Sequence, residues 1–197
     1  MIQSDKIDSS NMDIKKIANS VLIFSLKRLI EIIGILISCF GFLILLALFS
    51  YSPEDPNFIF QENVSINNLI GFQGSYTSDL FFQSIGIISF LVPLTFIFTG
   101  ISLFKKKEFF LIINNLFYAV LYCLVGSIFF AFFFNDTYSL YINGNGGFVG
   151  NYLNQTFLSS LILINEEITF YILIVLVLVL FLISINFSPK NFYQLIK

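Results

Sequence analysis

Four long apolar runs separated by polar stretches organise this chain of 197 residues. They cover 29–50, 80–104, 109–134 and 168–187, and each holds the roughly 20 mostly apolar residues needed to cross about 30 Å of hydrocarbon. The pattern predicts an all-α polytopic membrane protein with four transmembrane helices in a membrane domain 29–187. A polar leader, 1–28, precedes that domain and a short tail, 188–197, follows it. In the leader, Ile14, Ile17, Val21 and Phe24 recur at helical spacing beside Lys15, Lys16, Lys27 and Arg28. That spacing predicts a short helix lying against the inner leaflet. The loop 105–108 is so short that the second and third spans must be antiparallel neighbours.

Small residues pattern the first three spans. Gly34, Ser38 and Gly41 share one face of span one; Gly86, Ser89, Pro93 and Gly100 share one on span two; Ala119, Cys123, Ser127 and Ala131 share one on span three. In lipid, where the hydrophobic effect does not drive helices together, such stripes let backbones approach closely. Pro93 removes a backbone hydrogen bond and predicts a kink in span two. Span four carries bulk on every face, from Ile172 to Leu180, which predicts a peripheral position or contact with another subunit.

Composition and charge then fix an orientation. Hydrophobic residues make up 57% of the chain, charged residues 11%, and the mean hydropathy is +0.88, which excludes an ordinary soluble domain. All ten basic residues lie in three segments: Lys6, Lys15, Lys16, Lys27 and Arg28; Lys105, Lys106 and Lys107; Lys190 and Lys197. With Asp5, Asp8, Asp13, Glu31 and Glu108 these segments carry a net +5. The other two connections carry Glu54, Asp55, Glu62, Asp79, Asp136, Glu166 and Glu167 with no cation, a net −7. Lys and Arg of short loops stay cytoplasmic, so both termini are expected inside and both acidic loops outside. Glu31, one turn into span one, is placed to pair with Lys27 and Arg28.

The first run is too long for a signal-peptide core, and Phe49 stands where cleavage requires a small residue. Cys39 and Cys123 lie inside spans and predict no disulfide framework. The chain has no histidine, which argues against metalloprotease or His-dependent chemistry, and no metal or cofactor is expected. The spans lack a midplane charge of the kind transport pathways use, and Asn114 and Asn115 lie too near the inner end to form one.

The outer loops hold the remaining signals. Span one leaves through Ser50-Tyr51-Ser52-Pro53-Glu54-Asp55-Pro56-Asn57-Phe58, where two prolines stop the helix and make a rigid turn. Gly71-Phe72-Gln73-Gly74-Ser75-Tyr76 and Gly147-Phe148-Val149-Gly150-Asn151-Tyr152 share one pattern, which a pair of related helical hairpins would explain. Thr77, Ser78 and Asp79 are expected to supply an N-cap and a favourable negative charge at the start of span two. The glycine cluster from Gly144 to Gly150 lacks the Lys of a phosphate-binding loop and the spacing of a dinucleotide site. After it, Phe148, Leu153, Phe157, Leu161 and Ile164 predict either an amphipathic helix on the outer membrane surface or a shallow re-entrant segment. The triplets at Asn63, Asn135 and Asn154 match a glycosylation pattern that chance often produces.

With these loops read, the chain from about Arg28 to Phe187 resembles the N-terminal membrane domain of FtsK/SpoIIIE-type bacterial DNA translocases. The likeness rests on Arg28-Leu29-Ile30-Glu31 entering span one, the exit motif 50–58, Asn68-Leu69-Ile70-Gly71-Phe72-Gln73-Gly74, Asp79-Leu80-Phe81-Phe82, Gly86, Pro93 and Gly146-Gly147-Phe148-Val149-Gly150. Ile70, Ser75 and the lack of Trp depart from the family pattern. The resemblance implies a membrane anchor and assembly module acting in cell division and chromosome segregation at the septum of the bacterial inner membrane. Its expected partners are the lipid bilayer, further copies of itself and other division proteins. In that family a DNA-dependent ATPase motor follows through a linker. This chain has no Walker motif and no basic nucleic-acid-binding domain, so neither ATP nor DNA is an expected ligand. Pro53, Asp55, Pro56, Gly71, Gly74 and Asp79 are the residues expected to shape the outer surface, structurally or by direct contact. A small four-span transporter or channel is the alternative function, and a membrane enzyme a third for which no catalytic constellation is seen.

Overall fold

The computed structural model describes residues 2–56, 65–134 and 143–188, with side chains described from residue 16 onward. The order is α1 (Ile2–Phe49), α2 (Phe72–Ile85), a 3-10 segment (Gly86–Phe90), α3 (Leu91–Lys106), α4 (Phe110–Phe133), α5 (Gly147–Asn154), α6 (Phe157–Ile164) and α7 (Glu166–Ser184). No strand occurs among the described residues. Four helical stretches are long and apolar enough to cross a membrane: Lys16–Phe49, Phe72–Lys106, Phe110–Phe133 and Glu166–Ser184. The expected all-α four-span architecture is therefore present. Asn57, Phe58, Glu62, Asn63, Asn135, Asp136, Lys190, Lys197 and the leader side chains before Lys16, Ile14 and Lys15 among them, lie outside the described residues.

The crossing helices form a row, with α1 on α3, α3 on α4, and α4 on α7. Small residues set the first contact. A Cβ on Gly34 would stand 2.7 Å from the Gly100 carbonyl oxygen, and one on Gly41 would stand 2.8 Å from the Pro93 carbonyl. Between them the Ser38 hydroxyl donates to the Ile97 carbonyl at 3.0 Å. Two backbones thus touch along the stripe that the sequence marks, and van der Waals contact replaces the missing hydrophobic drive. Bulk sets the last contact: Phe170 of α7 lies 5.4 Å from Phe129 and 5.2 Å from Phe133, and Phe181 lies 5.8 Å from Tyr122. The rest of α7 is largely exposed, as expected of a peripheral span.

Four expectations need correction. The leader does not form a separate surface helix, because α1 runs unbroken from Ile2 to Phe49. Nothing in 2–49 interrupts a helix: the stretch has no proline, and its glycines at 34 and 41 pack on α3. Span two is interrupted at Gly86–Phe90 rather than kinked at Pro93. Pro93 instead occupies the first turn of α3, where a missing N–H costs little because those donors have no partner in the helix. Thr77, Ser78 and Asp79 do not cap span two, because α2 already starts at Phe72 behind Gly71, whose φ is 72°. Thr77 and Ser78 return their hydroxyls to the Gln73 and Gly74 carbonyls within the helix. Last, the segment after Gly147 is two short helices, since Thr156 stops α5 and caps α6 by accepting from the Leu158 N–H.

Both ends of the row are tied by polar contacts. At one end Glu31 pairs with Arg28 at 2.5 Å and with Lys107 at 2.6 Å. Lys107, left-handed at φ 58°, thus takes the place expected of Lys27 and joins α1 to the α3–α4 loop. Just above it Asn115 donates to the Thr99 hydroxyl at 2.8 Å and accepts from Asn186 at 2.8 Å. One turn higher, Thr95 meets both the Tyr122 and Ser184 hydroxyls, at 3.0 and 3.1 Å. These layers join α3, α4 and the end of α7. That end is a Schellman turn, with Asn186 at φ 54°, its N–H on the Ile183 carbonyl and the Phe187 N–H on the Leu182 carbonyl.

Candidate functional site

At the opposite end of the row, the described parts of the acidic connections, 51–56, 65–71 and 143–165, are built into the bundle. α1 ends at Phe49, leaving carbonyls that its own helix cannot satisfy. The Asn68 side-chain amide reaches back across the loop and donates to the Ala47 carbonyl at 2.9 Å and the Ser50 carbonyl at 3.2 Å. Its Oδ1 accepts from the Ile70 N–H at 3.0 Å, so one asparagine ends α1 and shapes the approach to α2. Asp55 holds Asn68 in place, with its two carboxylate oxygens accepting the backbone N–H groups of Asn67 and Asn68 at 2.8 and 2.9 Å. Asp55 is 2% exposed and Asn68 5%, so these charge-assisted bonds form out of water and fix the loop strongly.

The exit turn itself follows from proline. The Asp55 N–H bonds to the Ser52 carbonyl at 3.2 Å, closing a β-turn with Pro53 at its second position, where a fixed φ is favoured. The Pro56 carbonyl then accepts from the Ser75 hydroxyl at 2.6 Å, which pins the exit loop to α2. Gly74 is required beside it: a Cβ there would strike Asn68 Oδ1 and lie 2.6 Å from Ile70 Cβ. Under this polar clamp, Phe82 packs with Ile44 and Leu48 of α1 and with the rings of Tyr51 and Phe90.

A second clasp joins this unit to the glycine cluster. Tyr51 donates to Asp79 at 3.3 Å, and Gln83 donates to the same carboxylate oxygen at 3.4 Å. Gln83 also accepts from Asn143, through its side chain at 3.2 Å and its backbone carbonyl at 3.2 Å. The Ile87 N–H bonds to the Asn145 carbonyl at 2.9 Å, over Gly86, whose φ is 71°. Gly146 and Gly150 lie against the Ser127 carbonyl of α4, where side chains would not fit. The glycine cluster is therefore a backbone junction between α2, α4 and α5, which accounts for its composition without a nucleotide.

The six sequence-predicted residues come together unequally. Asp55, Pro56, Gly74 and Asp79 are buried within the clamp, and Gly71 supplies the positive φ that starts α2. Pro53 is exposed on the turn with Glu54 beside it. The sequence marks no hub role for Asn68, whose amide lies against Ala47, Ser50 and Ser78, and none for Gln83, which bridges Asp79 and Asn143. The signal for Asn68 was its place in the element that ends at Gly74, since the two residues are in contact. The buried polar groups Thr95, Thr99, Asn115, Tyr122 and Ser184, with half-buried Asn186, carry no marked role in the sequence either. These six satisfy one another across helices, which is how polar groups bind helices together in lipid.

The arrangement defines a helical multi-pass membrane domain held by glycine seams and a polar clamp. The family described as the 4TM region of DNA translocase FtsK/SpoIIIE matches residues 26–197, and the chain belongs to it. It is accordingly a multi-pass inner-membrane protein, the membrane-anchor domain of an FtsK-like protein. The chain is similar to the DNA translocase FtsK of Rickettsia bellii (strain RML369-C), 31% identical over 74 residues, which is 38% of this chain and 10% of that protein. It is also similar to the DNA translocase FtsK of Rickettsia prowazekii (strain Madrid E), 41% identical over 54 residues, 27% of this chain and 7% of that protein. This chain therefore spans a tenth or less of the length of these relatives in each match. No solved structure matches it.

Proposed function

We propose that this chain is the anchor and assembly module that holds a DNA translocase at the division septum, acting by binding rather than by catalysis. The observation that carries this reading is the family match over 26–197. The DNA-dependent ATPase of such translocases belongs to a motor domain outside the four-span region, so the work of this region is placement. On this reading the lysine-bearing end faces the cytoplasm, as the distribution of basic residues requires, and residues 1–28 and 188–197 are cytoplasmic. The clamp around Asp55 and Asn68 then faces the periplasm and fixes the surface that other division proteins and further copies of the chain would meet. Pro53 and Glu54, exposed on a turn held from beneath by Asp55, are the residues best placed for direct contact.

The test is to follow a fluorescently tagged copy through the division cycle. Enrichment at mid-cell, reduced by Pro53→Gly with Glu54→Lys while membrane insertion is unchanged, is the expected outcome. Uniform distribution around the envelope, together with a solute flux in vesicles, would favour the transporter reading instead.

A further inference from the structure

The part of span two that crosses the membrane is shorter than its apolar run, and the remainder has a different neighbour. From Lys106 up to Leu91, α3 rises about 22 Å at 1.5 Å per residue. The five residues Gly86–Phe90 add about 10 Å at the 3-10 rise. The path from the Lys107 turn to Gly86 is therefore about 32 Å long, comparable to the ~30 Å of hydrocarbon. The neighbouring helices put the same level at about 26–27 Å, close to the edge of the hydrocarbon. Phe49 at the end of α1 is about 27 Å above Glu31 on the same rise, and its ring lies 5.3 Å from that of Phe90. Ser127, about 26 Å up α4, donates to the Ile85 carbonyl at 3.0 Å. α2 and α5 therefore begin where the crossing ends.

Their surfaces suit the boundary rather than either bulk phase. Apart from buried Asp79, no charged residue occurs in 66–86, and none occurs in 143–165. Both helices start in the same way: a glycine of positive φ (Gly71 and Gly147), a Phe, a buried glycine two positions on (Gly74 and Gly150), and a Tyr. In each, the Phe and Tyr form a ring pair one turn apart, Phe72 with Tyr76 at 4.4 Å and Phe148 with Tyr152 at 6.3 Å. Phe72 is 50% exposed, and Phe148 and Tyr152 are 62% and 63% exposed. Next to them, Phe157 and Ile164 of α6 are 73% and 79% exposed, a surface that water would not tolerate. Aromatic rings with a polar edge collect at the headgroup level, where one side is apolar and the other wet.

We propose that α2 and α5 do not cross the membrane but lie in the headgroup layer of the leaflet opposite the lysine-bearing end, moored there by the Phe72–Tyr76 and Phe148–Tyr152 pairs. The repeated sequence element thus marks two copies of one mooring, and its partner is the lipid surface. This stands apart from the division role and holds for the isolated domain.

The chain has no Trp, so a single Trp reports its own depth. Tyr76→Trp and Tyr152→Trp, with Phe72→Trp and Phe148→Trp as neighbouring probes, would be reconstituted in phosphatidylcholine vesicles brominated near either the headgroup or the acyl-chain end. Phe40→Trp, lipid-exposed midway up α1, gives the deep reference, and Glu54→Trp the aqueous one. The expected result is quenching of the α2 and α5 probes at least about twofold stronger by the shallow bromines than by the deep ones, with the reverse for Phe40→Trp. Stronger quenching by the deep bromines would overturn the proposal and return α2 to the crossing. Strong acrylamide quenching with no effect of either lipid would overturn it as well, leaving the aromatic pairs as a protein-docking surface.

Discussion

The carboxylate of Glu31 and the ammonium of Lys107 meet at 2.6 Å, joining the start of the first crossing to the turn between the second and third. Glu31 is 8% exposed, and Arg28 holds its second oxygen at 2.5 Å. A carboxylate at the edge of the hydrocarbon is tolerated where cations neutralise it, so the pair also fixes the level of α1 against α3. Reversing one partner, Lys107→Glu, should lower the unfolding midpoint of the detergent-solubilised domain. Combining it with Glu31→Lys should restore part of the loss. Equal losses for the single and double variants would mean that the contact does not couple the two elements.

The glycine seam gives a sharper contrast. Leu at Gly34 or Gly41 has to displace the Gly100 or Pro93 backbone, which cannot yield as a flexible side chain can. Each should cost about 1–3 kcal/mol or prevent insertion, as overpacking does. Ile174→Leu, on a half-exposed face of α7 at the edge of an apolar groove of about 310 Å³, should be close to neutral. Unfolding in mixed micelles would rank the three.

The clamp should depend on Asn68 more than on any of the residues the sequence brought forward. Asn68→Ala strips the amide donor from the Ala47 and Ser50 carbonyls and the acceptor from the Ile70 N–H in a buried site, a loss of about 1–3 kcal/mol, while the Asp55 carboxylate keeps its bonds to the backbone N–H groups of residues 67 and 68. Gly71→Ala places a side chain at φ 72° and should cost about 1 kcal/mol, although no atom stands within 4 Å of the added Cβ. Hydrogen exchange of the Ile70 amide, which loses its acceptor, would rise in the first variant and stay near the parent value in the second.

The buried polar layers call for a smaller effect. Asn115→Leu removes bonds to Thr99 and Asn186 together and should cost about 0.6–1.7 kcal/mol, from the average to the largest interhelical bond found by double-mutant cycles in a membrane protein. If these groups instead lined a pathway, the substitution would change solute flux, and stability would be unaffected.

Features set by a single chain's own composition show in its sequence, and features made by contacts between distant segments do not. Crossing number and the α1–α3 seam depend on length, hydrophobicity and residue size, all of which a single chain displays; Gly34, Ser38 and Gly41 were marked on those grounds. The start of α2 was misread because Thr77-Ser78-Asp79 has capping chemistry, while the signal that acts, Gly71 with a positive φ, lies six residues earlier. The interruption was assigned to Pro93 because proline breaks helices. A proline at the start of a helix breaks nothing, and the break sits at Gly86, where the Asn145 backbone comes too close for a side chain. Asn68, Gln83 and Asn143 are polar residues whose roles exist only once the two outer connections are brought together, and no local pattern encodes that meeting. Glu31 was paired with Lys27 from helical spacing, and the neighbour that displaced it comes from another helix end.

Four crossings put both clamped connections on one side of the membrane and the lysine turn on the other. Single cysteines at Glu54, Lys106 and Gln155, all exposed, in a variant without Cys39 and Cys123, would report this in intact bacterial spheroplasts treated with a membrane-impermeant maleimide. The Glu54 and Gln155 sites should label from outside, and the Lys106 site only after the membrane is opened. Labelling of the Lys106 site in intact spheroplasts, or protection of the Glu54 site until lysis, would contradict it.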